Sequence, residues 1–150
     1  MLDIRTELPS EFVTVTAERI EQLFPRPTLL VLGGRRQPPL FVSILLHGNE
    51  DVGLRALQRV LGKYQSQELP RELILFIGNV AACTQAVRYL PHQLDFNRVW
   101  PGSELPHSAE HDLMHMVMNE VLRHGVFASL DLHNNTGRNP IYACICDRSP

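Results

Sequence analysis

Two short polar motifs, each following an apolar segment, contain residues that bind metal ions in proteins. His47 and Glu50 form an H-x-x-E pair after one apolar run, and His133 lies in D-L-H after another. Zinc accepts imidazole nitrogens and carboxylate oxygens, and two histidines with one glutamate form a catalytic zinc set that leaves a position open for water. We therefore predict that His47, Glu50 and His133 bind one Zn²⁺ per chain. The alternative is an ordinary helix start, where a glutamate is favourable.

A third polar segment, L-D-F-N-R-V-W-P-G, interleaves polar and apolar residues. Its apolar side chains would anchor the loop and leave Asn97 and Arg98 facing a site. There Arg98 would bind a substrate carboxylate through two N–H groups, with Asn97 assisting. Arg88, further upstream, would supply a second cation. The alternative for Arg88 is solvent exposure at a helix C-terminus, where a cation stabilises the helix dipole.

The elements that must position these residues are visible in the hydrophobic pattern. Apolar runs predict strands at residues 28–32, 40–46, 72–77, 126–130 and 141–146, with a weaker candidate at 11–16. Apolar residues at helical spacing predict helices at 51–64 and 107–123, and Asn79 is placed to cap a short helix over 80–88. Gly125 is the natural end of the helix before it.

Strands that alternate with helices favour an α/β fold, with three αβα layers and a mixed, largely parallel sheet. The short connection between the strands at 28–32 and 40–46 favours an antiparallel pair of neighbours. In sheets of this class, ligands bind at the carboxyl ends of parallel strands. The motifs HGNE and DLHNN are therefore expected at one edge of the sheet.

Composition excludes several classes of protein. The chain has 150 residues, 44% of them hydrophobic, which predicts a single folded domain over residues 1–150. The formal charge is −2 and no basic stripe is visible, so nucleic acid is not an expected partner. No apolar run approaches the roughly 18 residues of a membrane span. Three cysteines without a signal sequence predict reduced thiols and a cytoplasmic location.

Three motifs of the chain resemble those of the zinc carboxypeptidase superfamily, in the order HGNE, DFNRVWPG and DLHNNTG. Within this superfamily they resemble the branch of the succinylglutamate desuccinylases and aspartoacylases. The resemblance implies a zinc-carboxypeptidase-like fold and a zinc-dependent hydrolase that cleaves an amide bond in a small, carboxylate-bearing N-acyl amino acid. It also implies roles for individual residues: His47, Glu50 and His133 as zinc ligands, Arg88 polarising the scissile carbonyl, Asn97 and Arg98 binding the substrate carboxylate, and Asp95 orienting a ligand histidine.

The chain departs from this family pattern at the general base. The family uses a glutamate well downstream of the third zinc ligand, and no glutamate follows His133. We therefore expect the chain to be the N-terminal part of a longer catalytic domain, with its catalytic base unknown. Two other functions stay open: a zinc carboxypeptidase that acts on peptides, and a non-catalytic metal-binding or interaction domain.

A second group of histidines competes for attention. His107, His111 and His115 lie four residues apart along one predicted helix. Histidines at this spacing can bind a metal, but the H-E-x-x-H arrangement is absent. The favoured interpretation is a solvent-facing stripe.

Overall fold

The computed structural model of the chain describes residues 1–134 and 142–144. Its strands form one sheet: β1 (Asp3–Arg5), β2 (Thr28–Leu32), β3 (Leu40–Ile44), β4 (Leu73–Ile77) and β5 (Ala128–Asp131). Its α-helices are α1 (Val52–Leu61), α2 (Val80–Cys83) and α3 (Ala109–His124). Short 3₁₀ turns lie at Ser10–Val13, Ala17–Gln22, Gly62–Tyr64 and Phe96–Arg98. None of the helices in these residues has the length and hydropathy needed to cross a membrane.

The sheet is mixed and mostly parallel, as the sequence predicts. Its spatial order is β1-β2-β4-β3-β5, and the antiparallel pairing in it is β2 with β4. The prediction that β2 and β3 are antiparallel neighbours is wrong, because β4 lies between them. Every residue of β4 is buried, and a strand that is apolar on both faces is favoured at the centre of a covered sheet.

Two hydrophobic clusters, one on each face of the sheet, produce the three layers. Side chains alternate between faces along each strand, so β4 sends Leu75 to one cluster and Phe76 to the other. Leu54, Leu57 and Leu61 of α1 belong to the first cluster. The second is filled from α3 by Leu113, Met114, Val117 and Val121. The predicted αβα architecture is therefore confirmed.

Several local predictions need correction. Residues 11–16 form no strand, since the backbone N–H groups of Phe12 and Thr14 close 3₁₀ turns onto Pro9 and Glu11. The helix predicted over 80–88 is shorter, because the chain leaves helical geometry and Ala86 adopts a φ of 50°. β1 was not predicted, being only three residues long. The strand predicted at 141–146 falls largely outside the described residues, and residues 142–144 are not in a strand.

The sheet brings the motifs HGNE and DLHNN together at the carboxyl ends of its parallel strands. β3, β4 and β5 are parallel, so their carboxyl ends lie side by side. His47, Asn79 and His133 each follow one of these ends. Helix α3 returns the chain to β5 and ends at Gly125, as predicted, and this glycine adopts the left-handed conformation with a φ of 63°.

Candidate metal centre

His47, Glu50 and His133 converge at this edge of the sheet. One ligand atom from each residue lies within 4.8 Å of the others. His47 Nδ1 is 2.9 Å from Glu50 Oε1, and His133 Nδ1 is 3.0 Å from Glu50 Oε2. The two imidazole rings are tilted against each other, with centroids 5.1 Å apart. Two segments that are distant in sequence, HGNE and DLH, therefore present two nitrogens to one carboxylate.

The HGNE turn is shaped by close backbone packing. β3 ends at Ile44, and the buried Leu45 has a φ of 55°, a conformation that costs energy for a residue with a branched side chain. A Cβ at Gly48 would lie 2.2 Å from the backbone carbon of Ala82, so only glycine fits against α2. The Gly48 N–H also donates to the Arg88 carbonyl at 3.2 Å. These constraints place His47 at the carboxyl end of the sheet.

Each imidazole has a second carboxylate on its other nitrogen. His47 Nε2 lies 2.8 Å from Asp95 Oδ1, and His133 Nε2 lies 2.5 Å from Asp131 Oδ2. Nδ1 of each ring also faces a carboxylate, that of Glu50, so the tautomer depends on what lies between them. With a cation there, each Nδ1 would offer its lone pair and each Nε2 would donate a hydrogen bond to its aspartate. This pattern is typical of histidines that bind metals.

The arrangement fits a divalent cation. With neutral imidazoles, the Nδ1 lone pairs and the Glu50 carboxylate are all acceptors facing one another, which is favourable only with a cation among them. Glu50, Asp95 and Asp131 are three carboxylates, and Arg88 is the guanidinium that contacts two of them. A divalent ion would balance the remaining negative charge, and nitrogen with carboxylate oxygen suits zinc.

Asp95 is held in place from several sides. Burial on its own would raise the pKa of Asp95, but hydrogen bonds from His47, the Asn97 N–H and Arg88 outweigh it and hold this pKa below its ordinary value. The Asn97 N–H donates at 2.9 Å, and Arg88 Nη2 donates to the other oxygen at 3.0 Å. Asp95 is therefore an ionised acceptor at neutral pH, in hydrogen-bonding contact with the His47 imidazole.

His133 has a different electrostatic setting. Its hydrogen bond with Asp131 raises the pKa of His133, burial opposes this, and the charges of Asp131 and Glu50 add to the increase. The net direction is upward, as expected for an imidazole between two carboxylates. Asp131 was not among the predicted site residues. The signal was present, because Asp131 and His133 are two apart at a strand end and point to the same side.

The predicted substrate-binding residues lie at different distances from the triad. Arg88 Nη1 is 3.4 Å from Glu50 Oε1, and its side chain is 42% exposed, so one side of the guanidinium faces solvent. Phe96 and Val99 are buried anchors of the loop, as predicted. Asn97 reaches the site through its backbone N–H. Arg98 is exposed, and its side chain forms no hydrogen bond or ion pair with the described residues.

Asn134 joins two of the converging segments and was not predicted. Its backbone N–H donates to Glu50 Oε2 at 3.0 Å. Its side-chain oxygen accepts a hydrogen bond of 3.3 Å from the N–H of Val52, the first residue of α1. The residue before this helix, Asp51, provides no side-chain cap. Asn134 therefore performs the capping role from the segment that follows β5, and it ties Glu50 to the His133 segment.

The second histidine group does not form a comparable cluster. His107 and His115 are exposed, but His111 is only 6% exposed, so the prediction of a solvent-facing stripe is wrong for it. His111 stacks on His107, and its Nδ1 pairs with the Ser108 hydroxyl. Across the described ranges 1–134 and 142–144, the one convergent set of three metal-ligating side chains is His47, Glu50 and His133.

Comparison with known proteins identifies the family of the chain. The model of the succinylglutamate desuccinylase/aspartoacylase catalytic domain matches residues 37–150. The chain belongs to this family. The match includes all three polar motifs, and it confirms the resemblance seen in the sequence. A search of curated proteins finds no match.

Two solved structures are similar in fold. A succinylglutamate desuccinylase from Vibrio cholerae has a TM-score of 0.53 at 17% identity, over 65% of this chain and 30% of that one. The corresponding enzyme from Chromobacterium violaceum has a TM-score of 0.51 at 22% identity, over 67% of this chain and 34% of that one. The chain therefore spans about a third of the length of these desuccinylases, and the predicted zinc-carboxypeptidase-like fold is confirmed.

Proposed function

We propose that the chain forms the metal-binding part of a zinc-dependent hydrolase that cleaves an amide bond in a small, carboxylate-bearing N-acyl amino acid. The observation that carries this proposal is the convergence of two imidazole Nδ1 atoms on Glu50, with a carboxylate behind each ring. Family membership supports the reaction class and favours this substrate class over peptides. A cytoplasmic location stays a prediction from the cysteines.

In this proposal His47, Glu50 and His133 hold one Zn²⁺. When bound, zinc lowers the pKa of a coordinated water and polarises a carbonyl. The role of the surrounding protein is to keep the ligand imidazoles oriented for metal binding. Asp95 accepts a hydrogen bond from Nε2–H of His47, which leaves Nδ1 free to bind the metal. Asp131 does the same for His133.

The cations of the site have separate roles. Arg88 is fixed by Asp95 and Glu50, so its exposed side can stabilise negative charge that develops on the scissile carbonyl oxygen. Arg98 is exposed on the neighbouring 3₁₀ turn and is free to bind the substrate carboxylate with two N–H groups, assisted by Asn97. Recognition of a free carboxylate agrees with an acidic N-acyl amino acid.

We assign no general base within this chain. Glu50, Asp95 and Asp131 each face a ligand imidazole, which occupies the carboxylates nearest to the site. A base must be within hydrogen-bond reach of the water that it deprotonates. Zinc binding by this chain without cleavage is therefore expected from both the proposal and the non-catalytic alternative, and activity of a longer gene product would favour the proposal.

Metal analysis and activity together test this proposal. After dialysis in a non-chelating buffer, we expect about one zinc per chain. His47→Ala should lose the metal, whereas His92→Ala, a histidine on the exposed loop, should keep it. Metal-free wild-type protein would contradict the zinc assignment. Removal of C-terminal residues from peptides, without cleavage of N-acyl amino acids, would favour the carboxypeptidase alternative.

A further inference from the structure

Ser43 is a polar residue within an otherwise apolar strand. β3 reads L-F-V-S-I, and Ser43 is only 1% exposed. A buried hydroxyl without a partner costs free energy, so a serine at this depth requires a hydrogen bond. Its Oγ donates to Asp131 Oδ1 at 2.7 Å. The one hydroxyl of this strand is thus directed at the carboxylate behind His133.

Sheet register explains this contact. Ser43 is the partner of Asp131 across the parallel β3–β5 ladder, so both side chains lie on the same face of the sheet. The other oxygen of Asp131 lies 2.5 Å from His133 Nε2. Ser43, Asp131 and His133 therefore form a continuous chain of hydrogen bonds that ends at Glu50.

Asp131 has to be held if it is to orient an imidazole. It lies at the end of β5, at one edge of the described sheet, and its side chain is 38% exposed. Water therefore competes for its oxygens, and an aspartate left free samples several rotamers. A hydrogen bond from the buried face favours the rotamer that presents Oδ2 to His133.

We propose that Ser43 is a positioning residue for the metal site. Acting through Asp131, it holds His133 in the tautomer with the proton on Nε2 and with Nδ1 directed at Glu50. Removal of the hydroxyl leaves Asp131 and His133 free to reorient, and the affinity for zinc falls. The part of this inference that concerns zinc rests on the proposed function, whereas the part that concerns the tautomer does not.

The test compares four variants of the chain. Ser43→Ala removes the hydroxyl, and Ser129→Ala makes the same change two register pairs away, at an exposed serine of β5. Ser43→Thr and Ser43→Val have the same shape and differ in the hydroxyl. This second pair keeps the test decisive if Ser43→Ala does not fold.

Two measurements are made on each folded variant. The first is the Kd for Zn²⁺, measured by competition with a chromogenic chelator. The second is the tautomer of neutral His133 in metal-free protein, measured by ¹⁵N NMR of the imidazole ring at alkaline pH, where the ring is unprotonated. We expect Ser43→Ala to bind zinc about tenfold more weakly, near the lower end for groups that support a metal ligand. Its His133 should become a mixture of tautomers. Ser129→Ala should match the wild type, and Ser43→Thr should bind zinc more tightly than Ser43→Val.

The outcomes separate this inference from the proposed function. Suppose that the wild type binds zinc, and that Ser43→Ala leaves both the Kd for zinc and the His133 tautomer unchanged, or that Ser43→Val and Ser43→Thr do not differ in either. The role of Ser43 is then refuted and the zinc site stands. If the wild type binds no zinc, the proposed function fails, and the tautomer measurement alone decides on Ser43. A lower Tm with unchanged Kd and tautomer would show a merely structural hydrogen bond, which also refutes the inference.

Discussion

The two imidazole–carboxylate pairs of the site have the same hydrogen-bonding pattern and different surroundings. His47 is 2% exposed and follows β3, which lies inside the sheet, and its partner Asp95 is held by Arg88 and a backbone N–H. The side chain of His133 is 24% exposed, and the residue follows β5, which lies at an edge of the described sheet. Its partner Asp131 is held by Ser43. The core therefore preorganises the first pair, whereas the second depends on a few polar contacts.

Glu50 joins the two pairs, and its replacement should have the largest effect. Glu50→Gln removes the negative charge that both Nδ1 atoms face, so we expect zinc to be lost from the dialysed protein. Zinc content per chain by mass spectrometry measures this. Glu104→Gln, on an exposed loop, is the control and should retain zinc. A Glu50→Gln protein with a full complement of zinc would break the account of both pairs.

Replacement of the two aspartates compares the pairs directly. Asp95→Asn and Asp131→Asn each remove a charged acceptor from a ligand imidazole, and such changes typically weaken metal binding about 10- to 100-fold. We expect Asp95→Asn to lie near the upper end, because the change also removes a charge partner of the Arg88 guanidinium. The zinc Kd of each variant measures the difference. A larger loss of zinc affinity for Asp131→Asn than for Asp95→Asn would contradict this expectation.

Backbone packing should matter for the His47 side. Gly48→Ala would place a Cβ against the backbone of Ala82 and Cys83, so we expect the free energy of unfolding to fall by about 3 kcal/mol, the upper end for overpacking. Urea denaturation measures this. Gly33→Ala is the control, since its Cβ would meet nothing within 4 Å. Equal stability of the two variants would show that the HGNE turn is not tightly packed.

The smallest effect concerns thiol reactivity at the interior and at the surface. Burial raises the pKa of Cys83, beneath the HGNE turn, to about 12, whereas Cys144 is exposed. Because a thiol is protonated below its pKa and only the thiolate reacts, Cys83 should stay unlabelled at pH 8 in folded protein. Peptide mapping after alkylation should find the label on Cys144. Rapid labelling of Cys83 without denaturant would show that the interior side opens readily.

The motifs were sufficient to predict which residues meet. Apolar runs predicted β2, β3, β4 and β5, and parallel strands necessarily bring their carboxyl ends to one edge. Strand polarity is therefore enough to bring His47 and His133 to the same side of the sheet. The pattern could not place β4 between β2 and β3, because strand order depends on which strand buries both faces.

The contacts that support the metal-binding residues could not be predicted from the sequence. Ser43 reads as one small residue in an apolar run, and its meaning depends on the register that pairs it with Asp131. Asn134 acts as a cap for a helix that is distant in sequence, which no local capping pattern can reveal. Arg88 was predicted as a helix-end cation, but α2 ends earlier, and tertiary packing brings this arginine to Glu50.

The central claim is that Nδ1 of His47, Nδ1 of His133 and the Glu50 carboxylate bind one zinc ion. The most direct test is anomalous diffraction at the zinc edge from crystals of the zinc-loaded chain. The account predicts one strong peak about 2.0–2.2 Å from both Nδ1 atoms and a Glu50 oxygen, with Nε2 of each ring still on its aspartate. No peak at this position, or a peak bound through Nε2, would contradict it.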